Sequence, residues 1–342
     1  MTSNTPRIDR LEPNMVANGA MEVAQTGQNL TLDGFDGVPR LEYAVDLFGY
    51  QSAQGNTLDF SQTTNNPSTQ SVHSLRATRS LAGLATNVIA NDRLSYLFEG
   101  HDLVGKIGQT FTVFFRVRSN QIGPRHMSFY NPASGRSLVR SYNIDAANAF
   151  ELKSISFVVE NTTWNLNSDV GMAMRWAMRT GSNNQTGTLD SWQAGNFFAG
   201  PTQTQSFDNT GDFFELGEVM VLPGNLEGVT DIPFRRAENS FAAEVGVCQR
   251  RFEKSSNLDL PPNNDTGRFL DVARPDGDVF KSINFRETKR VTPTIALLAG
   301  TTAGITIGSN PGQGGFSIFG SLTTSASFAV QWQADANFTT DS

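Results

Sequence analysis

Cysteine, histidine, charge and long apolar runs are all scarce in this chain, and each scarcity removes a class of function. The single cysteine, Cys248, has no partner for an intramolecular disulfide, and the start MTSNTPRIDRLEPN carries no apolar run of the kind a secretory signal needs. The expectation is a protein made in a reducing cytosol and not exported by the ordinary route. No stretch approaches the roughly 18 to 20 consecutive apolar residues that span a bilayer, so membrane insertion is not expected. Lys and Arg number 26 against 33 Asp and Glu, a net charge of -7, which offers no basic face to collect phosphates by counterion release. Nucleic-acid binding is therefore not expected. His73, His101 and His126 show no helical pair spacing, so neither a zinc site nor any other metal or cofactor is expected.

What the chain holds instead is 31 Gly and 25 Phe with only 17% charged residues, a composition that suits short strands and tight turns better than helices. Period-two alternation recurs. Phe111, Val113, Phe115 and Val117 fall on one strand face, with Thr110, Thr112, Arg116 and Arg118 on the other. Val170, Met172, Met174, Trp176 and Met178 alternate with Gly171, Ala173, Arg175, Ala177 and Arg179, which predicts a strand with one dry and one wet face. Shorter runs at Leu94, Tyr96 and Phe98, at Ile155, Phe157 and Val159, and at Leu216 through Leu222 complete a set of sandwich size. Trp176 and, later, Trp332 fall on apolar faces and are expected in the core. The fold class is all-β: a jelly-roll-like β-sandwich.

One segment breaks the pattern. Phe241, Val245, Cys248 and Phe252 recur at helical spacing, with Glu238 and Glu244 toward one end and Arg250, Arg251 and Lys254 toward the other, as a helix dipole favours. This predicts a packed helix over 239–254. The polar stretch SSNLDLPPNND has a Pro pair and no periodicity, and alternation resumes beyond it with Phe316 and Ile318 and with Phe328, Val330 and Trp332. The expected organisation is an N-terminal arm over 1–12, a sandwich with its helix over 13–254, a linker over 255–265 and a second, smaller β domain over 266–342.

Three stretches resemble a jelly-roll, carbohydrate-binding-module-like domain common in phage tail fibre proteins. NMVANGAMEVAQTG at 14–27 and YAVDLFGY at 43–50 look like that family's opening strand and downstream aromatic strand, although Asp46, Leu47 and Phe48 stand where the family usually has Asp-Arg-Trp. LSYLFEGHDLVGKIGQTFTVFFRVRSN at 94–120 is similar to its strand, Gly-Lys loop and long aromatic strand. ELGEVMVLPGNLEGVTDIPFRRAENSFAAEVGVCQRRFEKS at 215–255 resembles its last sandwich strand, Pro-Phe-x-x-Arg corner and terminal helix, with Arg251 in place of an aromatic residue. Residues 266–342 look like the small β modules often appended to it. The resemblance implies a structural, host-contacting role in a tailed-phage virion, as a tail fibre or receptor-binding adhesin assembled as a homotrimer. The implied partners are other virion proteins and a host-surface polysaccharide.

Enzymatic motifs fall short. Gly100, Gly105 and Lys106 are spaced like a phosphate loop, but Ile107 occupies the position that needs Ser or Thr, and the segment reads as a strand connection. GFSIFG at 315–320 is one residue too long for a nucleophile elbow and alternates like a strand. DNTGD at 208–212 lacks the offsets of a calcium loop and reads as a turn. No enzyme is expected. The candidate ligand contacts are loop aromatics, because sugar rings stack on exposed aromatic faces: Trp164 in ENTTWNLNSD, and Trp192, Phe197 and Phe198 in DSWQAGNFFAG. For each, anchoring its own loop is the competing reading. A capsid decoration or head-fibre subunit without ligand is the functional alternative, since the chain has no heptads or shaft repeats, and a polysaccharide depolymerase is the third.

Overall fold

The alternating runs fold into two antiparallel sheets packed face to face, a jelly-roll-like β-sandwich. In this computed structural model the described residues are 14–27, 29–32, 41–52, 58–81, 89–258, 269–272, 278–300, 305–308, 311–321 and 327–340. The expected arm over 1–12, and residues 259–265 of the expected linker, lie outside them.

The sandwich strands are β1 (Asn29–Leu32), β2 (Glu42–Val45), β3 (Phe48–Gln51), β4 (Leu58–Thr63), β5 (Ser74–Arg79), β6 (Asn91–Glu99) and β7 (Thr110–Ser119). They continue with β8 (Gly123–Asn131), β9 (Arg136–Ile144), β10 (Glu151–Val158), β11 (Val170–Thr180), β12 (Trp192–Ala194) and β13 (Phe213–Pro223). One sheet has six strands in the order β1-β4-β5-β13-β7-β10, the other seven in the order β12-β9-β8-β11-β6-β3-β2. Their inner faces interdigitate: Phe129 stacks on Phe157 across the sheets at 4.0 Å, and Trp176 meets Phe115 edge-on at 5.8 Å. Rings of this size remove much apolar surface from water and set the thickness of the core.

Four local expectations need correction. The opening segment 14–27 is not a strand but a buried irregular run. Two asparagines replace its ladder: Asn14 Nδ2 donates to the carbonyls of Val16, Val219 and Arg235 while its Oδ1 accepts from the N–H groups of Val16 and Val221. Asn18 likewise bonds Val23 and Asp46, so buried backbone groups are satisfied without sheet pairing. Gly19 lets this run approach β13, since a Cβ there would lie 2.1 Å from the Val219 carbonyl oxygen.

YAVDLFGY is not one strand but the β2–β3 hairpin, turning at Asp46 and Leu47. The outer face of β11 is not wet: Arg175, Ala177 and Arg179 are all fully buried, because loop residues Asn196 to Ala199 and the distant Phe338 lie across it. The outer face of β13 is half covered, Met220 and Leu222 packing with Phe114 beneath Ile232.

The helix is shorter than expected. α1 spans Phe241–Gln249, with Ser240 capping it by accepting from the Ala243 N–H at 3.2 Å. The chain then turns, and β14 (Phe252–Lys254) pairs with β20 (Ser327–Asp335). Strand pairing with a partner some eighty residues away overrides the helical spacing of Phe252. Of the expected stripe, Cys248 is buried, Phe252 is buried on β14 and Phe241 is exposed. Arg250 and Arg251 reach Glu99 of β6 rather than compensating a helix end.

The C-terminal part holds β15 (Phe269–Val272), β16 (Asp278–Asn284), β17 (Thr294–Gly300), β18 (Ile305–Ile307) and β19 (Gly315–Ser321). β14, β15 and β17 each pair with β20, and β19 lies between β16 and β18. Phe285, Phe316 and Trp332 form its small core with centroids 5.4 to 5.8 Å apart. Trp176 and Trp332 are thus both core residues, as their alternation predicts. Among the described residues no helix is long and apolar enough to cross a membrane.

Candidate functional site

The four loop aromatics separate into two pairs. Trp164 is buried and meets Trp192 edge-on, centroids 5.7 Å apart at 88°. Each indole N–H is spent on a backbone carbonyl, Trp164 on Glu160 and Trp192 on Val158, both at 2.8 Å. Arg136 grips the Glu160 carboxylate through Nε and Nη2 and also donates to the Trp192 carbonyl, so this corner is braced from three sides. Trp192 lies on β12 at the edge of the seven-stranded sheet and is half-buried.

Phe198 is buried between the guanidiniums of Arg93 and Arg175, 4.4 and 5.0 Å from its ring centre. Phe197 is half-buried, and its ring fills the space beside Gly195, whose φ of 116° and 2.4 Å clearance exclude a side chain. Trp164 and Phe198 therefore hold loops to the sheet, and only Trp192 and Phe197 keep exposed surface. The four do not converge on one platform.

Convergence occurs elsewhere, where the sandwich meets the C-terminal sheet. A cleft of about 970 Å³ opens between β2, the loop before β11, and strands β17 and β20. Apolar groups of Leu41, Tyr43, Val170 and Phe338 line part of it, and Asn165, Asp169, Thr294, Gln333, Asp335 and Asn337 supply amide, hydroxyl and carboxyl groups. Its two walls are tied together. Tyr43 donates its hydroxyl to the Phe338 carbonyl at 3.1 Å, and the Leu41 N–H reaches the Thr339 carbonyl at 3.1 Å. Arg290 spans the cleft, donating to the carbonyls of Ala336 and Ser168 at 3.0 and 2.6 Å.

Desolvation pushes the Asp335 carboxyl above its ordinary range, opposed by the Asn337 N–H at 2.8 Å. Burial, and secondarily Arg251, pulls the Arg290 guanidinium down. The Asp169 carboxylate accepts from Asn167 at 2.9 Å. A tied cleft lined by both apolar groups and polar donors and acceptors suits a ligand rich in hydroxyl groups.

Sequence reasoning missed this cleft because its walls come from positions up to some three hundred residues apart. The only local signal was the polar run NLNSD beside Trp164. The other motifs read as structure: Gly100–Leu103 is a 3-10 turn continuing into the β6–β7 connection, and Asp212 of DNTGD accepts from Asn209, Asn120 and Gln121. Among the described residues no group of three or more His, Cys, Asp and Glu side chains converges to hold a metal ion.

No family model matches the chain, and no curated protein matches it in sequence. Among solved structures it is similar to the enzymatically active domain of tailspike protein 4 of bacteriophage CBA120, at 11% identity and a TM-score of 0.34, over 62% of this chain and 21% of that one. It is similar to the family 11 carbohydrate-binding module from Clostridium thermocellum in complex with a mixed-linked tetrasaccharide, at 12% identity and a TM-score of 0.29, over 59% of this chain and 98% of that one. A third similarity is to N-terminal modules of a Clostridium thermocellum xylanase complexed with xylohexaose, at 12% identity and a TM-score of 0.31, over 64% of this chain and 30% of that one. The chain thus spans less than a third of the tailspike and xylanase chains.

Proposed function

We propose that the protein is a non-enzymatic adhesin on the surface of a tailed-phage virion and that its interdomain cleft takes a host-surface glycan. The observation that carries the glycan reading is the cleft, where amide, hydroxyl and carboxyl side chains stand beside apolar ones and the walls are tied by hydrogen bonds. Preorganised polar groups lose little entropy when a sugar chain replaces their water. The virion assignment rests on the sequence resemblance at 215–255. Individually weak contacts would be multiplied by many copies on one particle.

The test is binding of purified host-surface polysaccharide to the wild-type protein and to Gln333→Ala and Thr294→Ala, with cell adsorption and melting measured on the same samples. Loss of polysaccharide binding and adsorption at unchanged melting supports the cleft. Failure of the wild-type protein to bind polysaccharide or cells removes the adhesin reading and leaves the decoration subunit, which electron microscopy of labelled particles would place on the head. Release of reducing sugar from the polysaccharide would overturn the non-enzymatic part, and sedimentation of the pure protein checks the trimer.

A further inference from the structure

The six-stranded sheet presents a second, chemically different surface, in the opposite layer of the sandwich from the cleft. Its outer face is half covered by Ile232 and its neighbours, packed on Phe114, Met220 and Leu222. The other half is charged and only partly covered: Pro67 packs on Gly217, and the rims of the arginines reach the surface. Strand register places Arg76, Glu215 and Arg118 side by side on three adjacent strands, β5, β13 and β7, and Arg116 lies two residues further along β7. A register shift in β13 after Gly217 puts Glu218 in a left-handed conformation, φ 48°, with its carboxylate against Arg116 at 2.6 Å.

The carboxylates here are already full. Glu215 is completely buried and accepts from Thr63, Asn65 and Ser74 through one oxygen and from both Nε and Nη2 of Arg118 through the other. Glu218 is nearly buried and accepts from Ser68 and Arg116. The guanidiniums are not. Arg76 donates only to the Thr78 hydroxyl, at 3.0 Å, and stands 4.0 Å from Glu215, while Arg116 engages Glu218 through Nε alone. Their remaining N–H groups have no partner among the described residues, and the Arg76, Arg116 and Arg118 side chains keep 28%, 26% and 20% of their surface. Three cations against two carboxylates leave the patch positive in a protein of net charge -7. The arginines are also held in place, Arg76 over the Phe213 ring at 3.9 Å and Arg118 against the half-buried Phe150 at 4.8 Å.

We propose that this face, at Arg76 and Arg116 with Arg118 as a supporting charge, binds the carboxylates of an acidic, uronate-bearing glycan. The guanidinium fork matches a planar carboxylate in two parallel hydrogen bonds, and arginines immobilised by buried carboxylates and aromatic rings lose little freedom on binding. Neighbouring strands lie about 4.8 Å apart and Glu215 stands between Arg76 and the arginines of β7, so a flat polymer lying across the sheet meets cations about 10 Å apart. The inference rests on the glycan reading for the kind of polymer but not on the cleft.

The probes are polygalacturonate oligomers, neutral galactan oligomers of equal length and poly-glutamate, titrated calorimetrically against the full chain at low and at moderate salt. Expected is salt-sensitive binding of polygalacturonate above both controls, reduced roughly tenfold to a hundredfold in Arg76→Gln. Arg76 is the informative position because its loss leaves Glu215 paired with Arg118, and unchanged melting of the variant confirms the fold. Arg76→Lys should recover part of the affinity, since it keeps the charge and loses the fork. Undiminished binding in Arg76→Gln, or equal binding of galactan or poly-glutamate, overturns the proposal. If polygalacturonate binding is lost in Gln333→Ala and kept in Arg76→Gln, the acidic glycan lies in the cleft and this face is not its site. Absence of binding to polygalacturonate overturns the proposal while leaving a neutral glycan for the cleft, and absence of binding to every glycan overturns both.

Discussion

Asp92 and Arg179 form an ion pair at 2.7 Å with neither side chain exposed, between β6 and β11 on the face that alternation alone would have left in water. Desolvation pushes the Asp92 carboxyl upward and Arg179 opposes it, the balance expected when two charges are removed from solvent together. The Ser52 hydroxyl also donates to Asp92. Removing one partner strands the other. Arg179→Met is expected to cost about 3 to 5 kcal/mol in urea denaturation, and the double variant Asp92→Asn, Arg179→Met distinctly less than the sum of Asp92→Asn and Arg179→Met alone. Additive costs would mean that the two groups are stabilised independently.

Asp46 offers a pH-dependent test. Burial raises its carboxyl to about 6 from 3.8, against hydrogen bonds from the Gln25 N–H and side-chain amide at 2.8 and 2.6 Å. A pKa raised on folding means that the folded state binds the proton more tightly. The group's favourable contribution is therefore complete below the unfolded pKa and lost as pH rises through the folded one. Wild-type stability should fall relative to Asp46→Asn between about pH 4 and pH 6, by an amount on the order of 3 kcal/mol at most. Parallel stability curves for the two proteins over that window would show that Asp46 keeps its ordinary pKa.

Phe252→Ala should destabilise the join between sandwich and C-terminal sheet by about 3 to 5 kcal/mol. The Phe252 ring is buried on β14, which pairs with β20 of the C-terminal sheet while its backbone carbonyl accepts from Gln25 of the sandwich at 2.9 Å, so the cavity left by the ring opens where the two parts meet. Differential scanning calorimetry reads this as a lower transition. An unchanged melting temperature would show that β14 is dispensable to the fold.

Trp164→Ala should lower stability by about 3 to 5 kcal/mol, since its ring is buried against Trp192 and core residues. Trp192→Ala should cost less, because part of the ring is already in water, and should leave cell adsorption of the folded protein intact. Adsorption lost from Trp192→Ala at unchanged melting would move the glycan from the cleft to the edge of β12.

The chain's own pattern determined its class. Alternation in β7 and β11 marks the strands and selects Phe111, Phe115 and Trp176 for the interior, because a period of two sorts side chains between faces wherever the backbone is extended. Whether the second face of such a strand meets water is a different matter, decided by what the rest of the chain lays over it. Phe338 and Phe198 bury one side of β11, and no spacing within β11 announces them. The same reason explains the helix, whose expected last turn becomes β14 once β20 offers hydrogen bonds from the far end of the chain. It explains the functional surfaces too. Asn165 and Asp335 share a cleft, and Arg76, Glu215 and Arg118 share a row, only because sheet order brings distant strands together. Local periodicity is a short-range property of the backbone, whereas a site is a long-range coincidence of side chains, and packing alone creates it.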